Sequence, residues 1–111
     1  MTSRFFNAPE PPYYAVIFSS LLSGEDADGY DAMHNHIYEI AVTQPGYLGL
    51  ETTRDEEGFG ITVVYYDSPQ AIENWGKNSD HKVAQNKGRE SWYQGYRIRI
   101  AKVERESSFD R

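Results

Sequence analysis

The sequence predicts an α+β domain of the ferredoxin-like class, with the element order βαββαβ and one four-stranded antiparallel sheet. Four segments have the alternating apolar pattern of strands, and the segments between them have helical spacing or helix-start signals. The chain has 111 residues, which is enough for one domain with one core. No internal repeat or wide linker divides it.

The predicted strands cover residues 13–22, 47–54, 59–66 and 93–104. The first and third carry apolar residues on both alternating faces, which predicts that both faces of the sheet are covered. In the second strand, simple alternation places Tyr47 on the face opposite Leu50. Residues 55–58, with the sequence DEEG, predict the hairpin turn before the third strand.

The helices have recognisable start signals. Asp26 and Asp28 are candidate caps of the first helix. Its apolar stripe comprises Tyr30, Met33, Ile37, Ile40 and Ala41. Ser68, followed by a proline, predicts a short second helix. Ser79 is the predicted cap of a further helix that runs to about Trp92.

The two ends of the chain lie outside this pattern. Prolines at positions 9, 11 and 12 exclude a helix there and favour an extended N-terminal arm over residues 1–12. Residues 13–106 form the predicted domain, and residues 107–111 form a polar tail.

Composition excludes several function classes. The formal net charge is −6, so binding to nucleic acid or to an anionic membrane surface is not expected. There is no cysteine, which removes disulfides, thiolate nucleophiles and iron–sulfur clusters. Without a membrane span or a signal peptide, a cytoplasmic protein is expected.

The predicted sheet has a face that needs a partner protein to cover it. Its face opposite the helices is apolar, and the chain offers no further element to cover that face. A second copy that packs sheet against sheet is the simplest cover, so a homodimer is expected.

The obvious polar motifs do not predict metal or nucleophilic chemistry. His34 and His36 point about 200° apart on the first helix and cannot share a metal ion; His34 is interpreted as a histidine at the border of the apolar stripe. Ser79 and Lys82 match the pattern Ser-x-x-Lys, but a serine at a helix start is interpreted as a cap. The expected metal content is none.

Aromatic residues make up 14% of the chain, a high share for a small domain. Trp75 and His81 flank a break between helices, and the small residues Ala84 and Gly88 leave room on the helix face that also carries His81. Tyrosines at positions 65, 66, 93 and 96 can add hydroxyls. These residues either line a small-molecule pocket or simply fill the core, and from the residues alone a filled core is the simpler interpretation.

A wider set of residues resembles one known family. It comprises Gly60–Tyr66 (GITVVYY), Ile72, Trp75, Asp80-His81, Ala84, Gly88-Arg89, Trp92-Tyr93, Tyr96 and Val103–Arg105, with Pro12–Phe18 and Gln44–Gly49 as its first strand and helix exit. The set is similar to the antibiotic biosynthesis monooxygenase (ABM) group and spans residues 12–106. The resemblance implies a dimeric α+β barrel. It also implies oxidation of a phenol, hydroquinone or polyketide-type aromatic by O₂, with no metal, flavin or other cofactor.

The resemblance also suggests roles for individual residues. His81, the only histidine it brings near the pocket, is the candidate catalytic base. Trp75 and Trp92 are candidate substrate-binding walls, and Tyr66 and Tyr93 are candidate hydroxyl donors. Gln85 stands where haem-degrading members carry their iron-ligating histidine, so haem is not expected. The alternative is a dimeric binding or stress-response protein of the same fold without turnover.

Overall fold

The structure is a computed structural model that describes residues 4–111, and it confirms the predicted fold class. The elements are β1 (Tyr13–Leu22), α1 (Ala27–Ala41), β2 (Tyr47–Arg54), β3 (Phe59–Tyr66), α2 (Pro69–Gly76), α3 (Ser79–Lys87) and β4 (Tyr93–Val103). A single π-helical turn, Gly88–Trp92, joins α3 to β4. The four strands form one antiparallel sheet in the order β2-β3-β1-β4. Residues 1–3 of the predicted arm lie outside the described residues.

Two helix starts follow the prediction and one does not. The Asp26 side chain accepts a hydrogen bond from the Gly29 amide, and the Ser68 hydroxyl accepts one from Ala71. The predicted cap at Ser79 is wrong, because Asn78 caps α3 instead. Asn78 has the extended backbone of a cap, and its Oδ1 accepts from the amide of His81 at 3.0 Å. Asparagine and serine cap about equally well, so sequence preference did not separate the two neighbours.

The predicted alternation along β2 is also wrong at its start. Tyr47 pairs with Tyr66, whereas Gly49 pairs with Tyr65, so the register shifts by one residue between them. This irregularity puts Tyr47 on the same face as Leu50, and its ring meets Tyr66 edge to face with centroids 6.3 Å apart. A bulge inserts one extra residue, which turns the side chains that precede it to the other face.

The sheet face opposite the helices is partly covered by the chain's own arm, contrary to the expectation that nothing in the chain reaches it. The Phe6 ring stacks on Tyr65 with centroids 4.5 Å apart, and the Phe6 amide donates to Glu51 at 3.2 Å. Gly49 makes room for that ring, because a Cβ there would lie 2.4 Å from Phe6. Farther along the face, Phe59 and Ile61 remain 46% and 39% exposed.

The fully buried core is small. Its apolar members are Tyr13, Ala15, Tyr66, Ala71 and Trp92. Helix α1 has no buried residue, although its apolar stripe is the clearest in the sequence. The reason is that this stripe borders an open space between α1 and the sheet. In the described part of the chain, no helix has the length and hydrophobicity needed to cross a membrane.

Candidate functional site

A cavity of about 640 Å³ lies between the helices and the sheet. It is lined by side chains from β1, α1, the end of β2, β3, α2, α3 and β4. The lining includes all five residues proposed from the sequence, namely Trp75, His81, Tyr66, Trp92 and Tyr93. The aromatic residues therefore border an open space between the helices and the sheet and do not simply fill the core, although Tyr66 and Trp92 are themselves buried.

His81 is held by Trp75. The two rings stack with centroids 4.4 Å apart and an angle of 12° between their planes. Nδ1 of His81 lies 3.1 Å from the backbone carbonyl oxygen of Trp75. A carbonyl only accepts, so the hydrogen bond assigns the proton of the neutral ring to Nδ1 and leaves Nε2 as the basic atom. Burial lowers the pKa of His81 and outweighs the opposing effect of this hydrogen bond, so the ring is neutral at neutral pH.

The two indoles differ in what their N–H groups can do. Trp92 is buried, and its Nε1–H donates to the Asp26 carboxylate at 3.3 Å. Asp26 therefore both caps α1 and holds Trp92, which leaves this indole to act as a wall. Trp75 lines the cavity, and its Nε1–H has no hydrogen-bond acceptor among residues 4–111.

Tyr66 and Tyr93 are protonated donors at neutral pH. Burial is the main cause of a raised pKa in both, and the pKa of Tyr66 is about 12. The Tyr93 ring packs against Phe18 with centroids 5.6 Å apart. It also fills the space left by Gly88, where a Cβ would lie 2.8 Å from the ring. This glycine therefore fixes the position of a cavity wall.

His34 also lines the cavity, so His81 is not the only histidine near it. His34 stacks on Tyr30 with centroids 5.6 Å apart and is exposed at the cavity mouth. Protein atoms nevertheless crowd the ring, and this partial desolvation, together with the charge of Arg54, lowers its pKa. Helical spacing could have predicted this position, because His34 follows Tyr30 by four residues and precedes Ile37 by three, which places it on the same helix face.

Arg54, at the end of β2, is the second residue that sequence reasoning missed. Its guanidinium lines the cavity and donates to the Gly58 carbonyl, to the Ser20 hydroxyl at 2.8 Å and to the Tyr30 hydroxyl at 3.5 Å. The alternation along β2 could have predicted this position, because Arg54 follows Leu50 by four residues and so lies on the same face of the strand as Leu50.

Ligands for iron or another metal are sparse. Gln85 lines the cavity where haem-degrading relatives of the ABM group are expected to carry histidine, and a neutral amide is a poor iron ligand. Within residues 4–111, no three His, Cys, Asp or Glu side chains are grouped in a way that could hold a metal ion.

The chain is similar to one curated protein and to several solved structures. No family model matches it. It is 48% identical over 101 residues to YqjZ of Bacillus subtilis, a protein described as uncharacterised, and the match covers 91% of this chain and 88% of YqjZ. The chain belongs to the YqjZ family. Identity at this level over nearly the whole length implies a shared fold.

Solved structures show the fold that this family has. Rv0793 from Mycobacterium tuberculosis aligns with a TM-score of 0.74 at 12% identity, over 86% of this chain and 99% of that protein. A Caulobacter crescentus protein, whose name assigns it provisionally to the antibiotic biosynthesis monooxygenases, aligns with a TM-score of 0.72 at 16% identity, over 85% and 92% of the two chains. The ABM-like fold expected from the sequence resemblance is confirmed.

Proposed function

We propose that the protein is a cofactor-independent monooxygenase that oxidises a phenolic, hydroquinone or polyketide-type aromatic with O₂, with His81 as the base. The observation that carries the proposal is the cavity itself, which collects a neutral histidine, two indoles and two protonated tyrosines around one space. An aromatic-walled cavity with a few polar groups is the usual form of a small-molecule site.

The first step is removal of a proton. O₂ is a triplet and reacts slowly with a neutral phenol, whereas a phenolate can give it one electron. Nε2 of His81 takes the phenolic proton, since Nδ1 already carries the proton shared with the Trp75 carbonyl. The lowered pKa keeps this base in its neutral form at neutral pH.

The second step is stabilisation of the anion. The Tyr66 hydroxyl has no hydrogen-bond partner among residues 4–111 and can donate to the phenolate oxygen, as can the indole N–H of Trp75. The electron transferred to O₂ leaves a phenoxyl radical and superoxide, which combine at a ring carbon. The O–O bond then breaks and the attacked ring carbon loses its hydrogen. One oxygen atom remains on that carbon as a quinone carbonyl, and the other leaves as water with this hydrogen and the proton held by His81. The phenol supplies all four electrons, so no external reductant is needed.

We also propose that two copies pack their sheets together. Support comes from the second face of the sheet, where Phe59 and Ile61 remain 46% and 39% exposed beyond the part that Phe6 covers. Such a contiguous apolar face is typical of a protein interface. The small number of fully buried side chains agrees with a domain that completes its core with a partner.

An oxygen electrode tests the activity. The purified protein is treated with a chelator and supplied in turn with 1-naphthol, methylhydroquinone and anthrone. We expect O₂ uptake above the rate of autoxidation with at least one probe, and labelled oxygen in the quinone product when ¹⁸O₂ is used. Tight binding of these probes without O₂ uptake would contradict the proposed activity and leave a binding protein of the same fold.

A further inference from the structure

The cavity contains one permanent positive charge that no carboxylate balances. In the described part of the chain no carboxylate oxygen lies within 4.0 Å of Arg54, and the one ion pair found there joins Lys77 to Glu73. Every described group that accepts a hydrogen bond from the Arg54 guanidinium is neutral: the Gly58 and Ser20 carbonyls and the Ser20 and Tyr30 hydroxyls. An arginine stays ionised under all ordinary conditions, so this charge is present throughout the pH range of the protein.

The sequence around Arg54 makes room for the guanidinium. Arg54 pairs with Gly60 across the β2–β3 hairpin, and a Cβ at position 60 would lie 2.8 Å from Cζ of Arg54. Two hydrogen bonds of the Arg54 guanidinium are long, 3.4 Å to the Ser20 carbonyl and 3.5 Å to the Tyr30 hydroxyl. Bonds of this length are weak, so a ligand oxygen can replace them at little cost.

The other charged groups of the cavity do not neutralise the positive charge of Arg54. Among residues 4–111, Glu73 is the single acidic residue that lines the cavity, and it is 59% exposed and 3.1 Å from Lys77. The two lining histidines are neutral at neutral pH because their pKa values are lowered. A chain with a net charge of −6 therefore has a cavity whose inner charge is +1. Outside charges are screened by salt, whereas a charge inside a cavity is screened much less.

We propose that the ligand of this cavity is an aromatic acid, whose carboxylate pairs with Arg54 while its ring lies between the aromatic walls. Paired N–H donors of a guanidinium match the two oxygens of a carboxylate, and charge-assisted bonds of this kind are about twice as strong as neutral ones. The inference rests on the proposed function, because it narrows the aromatic substrate of that site to one that carries an anionic group.

The test uses two probes of almost equal shape, 2-naphthoate and 2-naphthamide, under anaerobic conditions. Their dissociation constants are measured by calorimetry for the wild-type protein, for Arg54→Met and Arg54→Lys, and for the control Arg105→Met, which removes an exposed arginine. We expect the wild-type protein and the control to bind the naphthoate about tenfold or more tightly than the amide, the size of one charge-assisted hydrogen bond. Arg54→Met should remove this preference, and Arg54→Lys should keep part of it.

Equal or tighter binding of the amide by the wild-type protein would overturn the proposal, and so would a preference that survives Arg54→Met. If that variant does not fold, the wild-type comparison of the two probes still decides, together with Arg54→Lys, which keeps the positive charge. Binding without O₂ is independent of turnover. A naphthoate preference in a protein that consumes no O₂ would support this site and contradict only the oxygenase.

Discussion

The imidazole of His81 lies flat on the indole of Trp75, and Nδ1 of the imidazole is 3.1 Å from the backbone carbonyl of the same tryptophan. The two residues come from different helices, α2 and α3, and the turn between them allows the contact. Asn78 caps α3 through the amide of His81 and so fixes the backbone from which the imidazole extends. One tryptophan therefore sets the plane of the histidine ring and the nitrogen that carries its proton.

Replacement of His81 by alanine tests its role as the base. We expect kcat with a responsive phenol to fall by about 100-fold or more, the usual contribution of general-base catalysis. The control is His36→Ala, which removes an exposed histidine that does not line the cavity. Rates are measured as O₂ uptake. A His81→Ala enzyme with near-wild-type kcat would exclude the histidine from proton transfer.

The pH dependence of kcat/KM should show a base that works in its neutral form. Burial lowers the pKa of His81 below its ordinary value of 6.5, so the active neutral form is lost only as the pH falls below that value. We expect kcat/KM to rise with pH, with an apparent pKa below 6.5, and to stay flat through neutrality. The measurement covers about pH 5 to 8 with a probe that does not ionise in that range. A profile that falls with rising pH would contradict a neutral histidine base.

Gly88 should be required for the position of Tyr93. A Cβ at position 88 would lie 2.8 Å from the ring, so Gly88→Ala displaces the ring and should lower the free energy of unfolding by about 1–3 kcal/mol. The matched control is Gly95→Ala, because nothing lies within 4 Å of a Cβ at position 95. Urea denaturation measures both variants. Equal stability of Gly88→Ala and the wild-type protein would show that the ring can move without cost.

A charge on the open part of the sheet should separate the proposed dimer. Ile61 is 39% exposed in the single chain, so Ile61→Glu should leave the folded subunit intact while placing a charge in the interface. We expect light scattering to give a dimer for the wild-type protein and a monomer for Ile61→Glu. The control Val83→Glu changes a side chain on α3 that is 55% exposed and should stay dimeric. A wild-type monomer would contradict the sheet-to-sheet dimer.

The five side chains proposed for the site came from the resemblance to the ABM group, whereas the local pattern of the sequence was sufficient for the element order and for two of the three helix caps. These features depend on periodicity and on residues close in sequence. The cap at Asn78 was missed because Ser79 is an equally good cap one residue later. The bulge in β2 was missed because alternation describes only a strand without an inserted residue.

The remaining features depend on contacts between distant segments. Arg54 lies in the cavity because the hairpin register pairs it with a glycine, and the register follows from the turn and both strands together. Phe6 covers part of the sheet through Tyr65, which is 59 positions later in the chain. No local pattern predicts such a contact. The cavity also depends on contacts between distant segments. Whether the aromatic side chains fill a space or surround it depends on the distance between the helices and the sheet.

The two tryptophans offer a direct view of the cavity, because the chain has only two and both line it. Their indole N–H signals are followed by two-dimensional ¹H–¹⁵N NMR while 1-naphthol is added without O₂. We predict that the Trp75 signal shifts most, since its N–H is open to the ligand, and that the Trp92 signal shifts less because Asp26 holds that group. If both indole signals stayed fixed while the naphthol bound and shifted other residues, the site would lie elsewhere and the account of this cavity would be wrong.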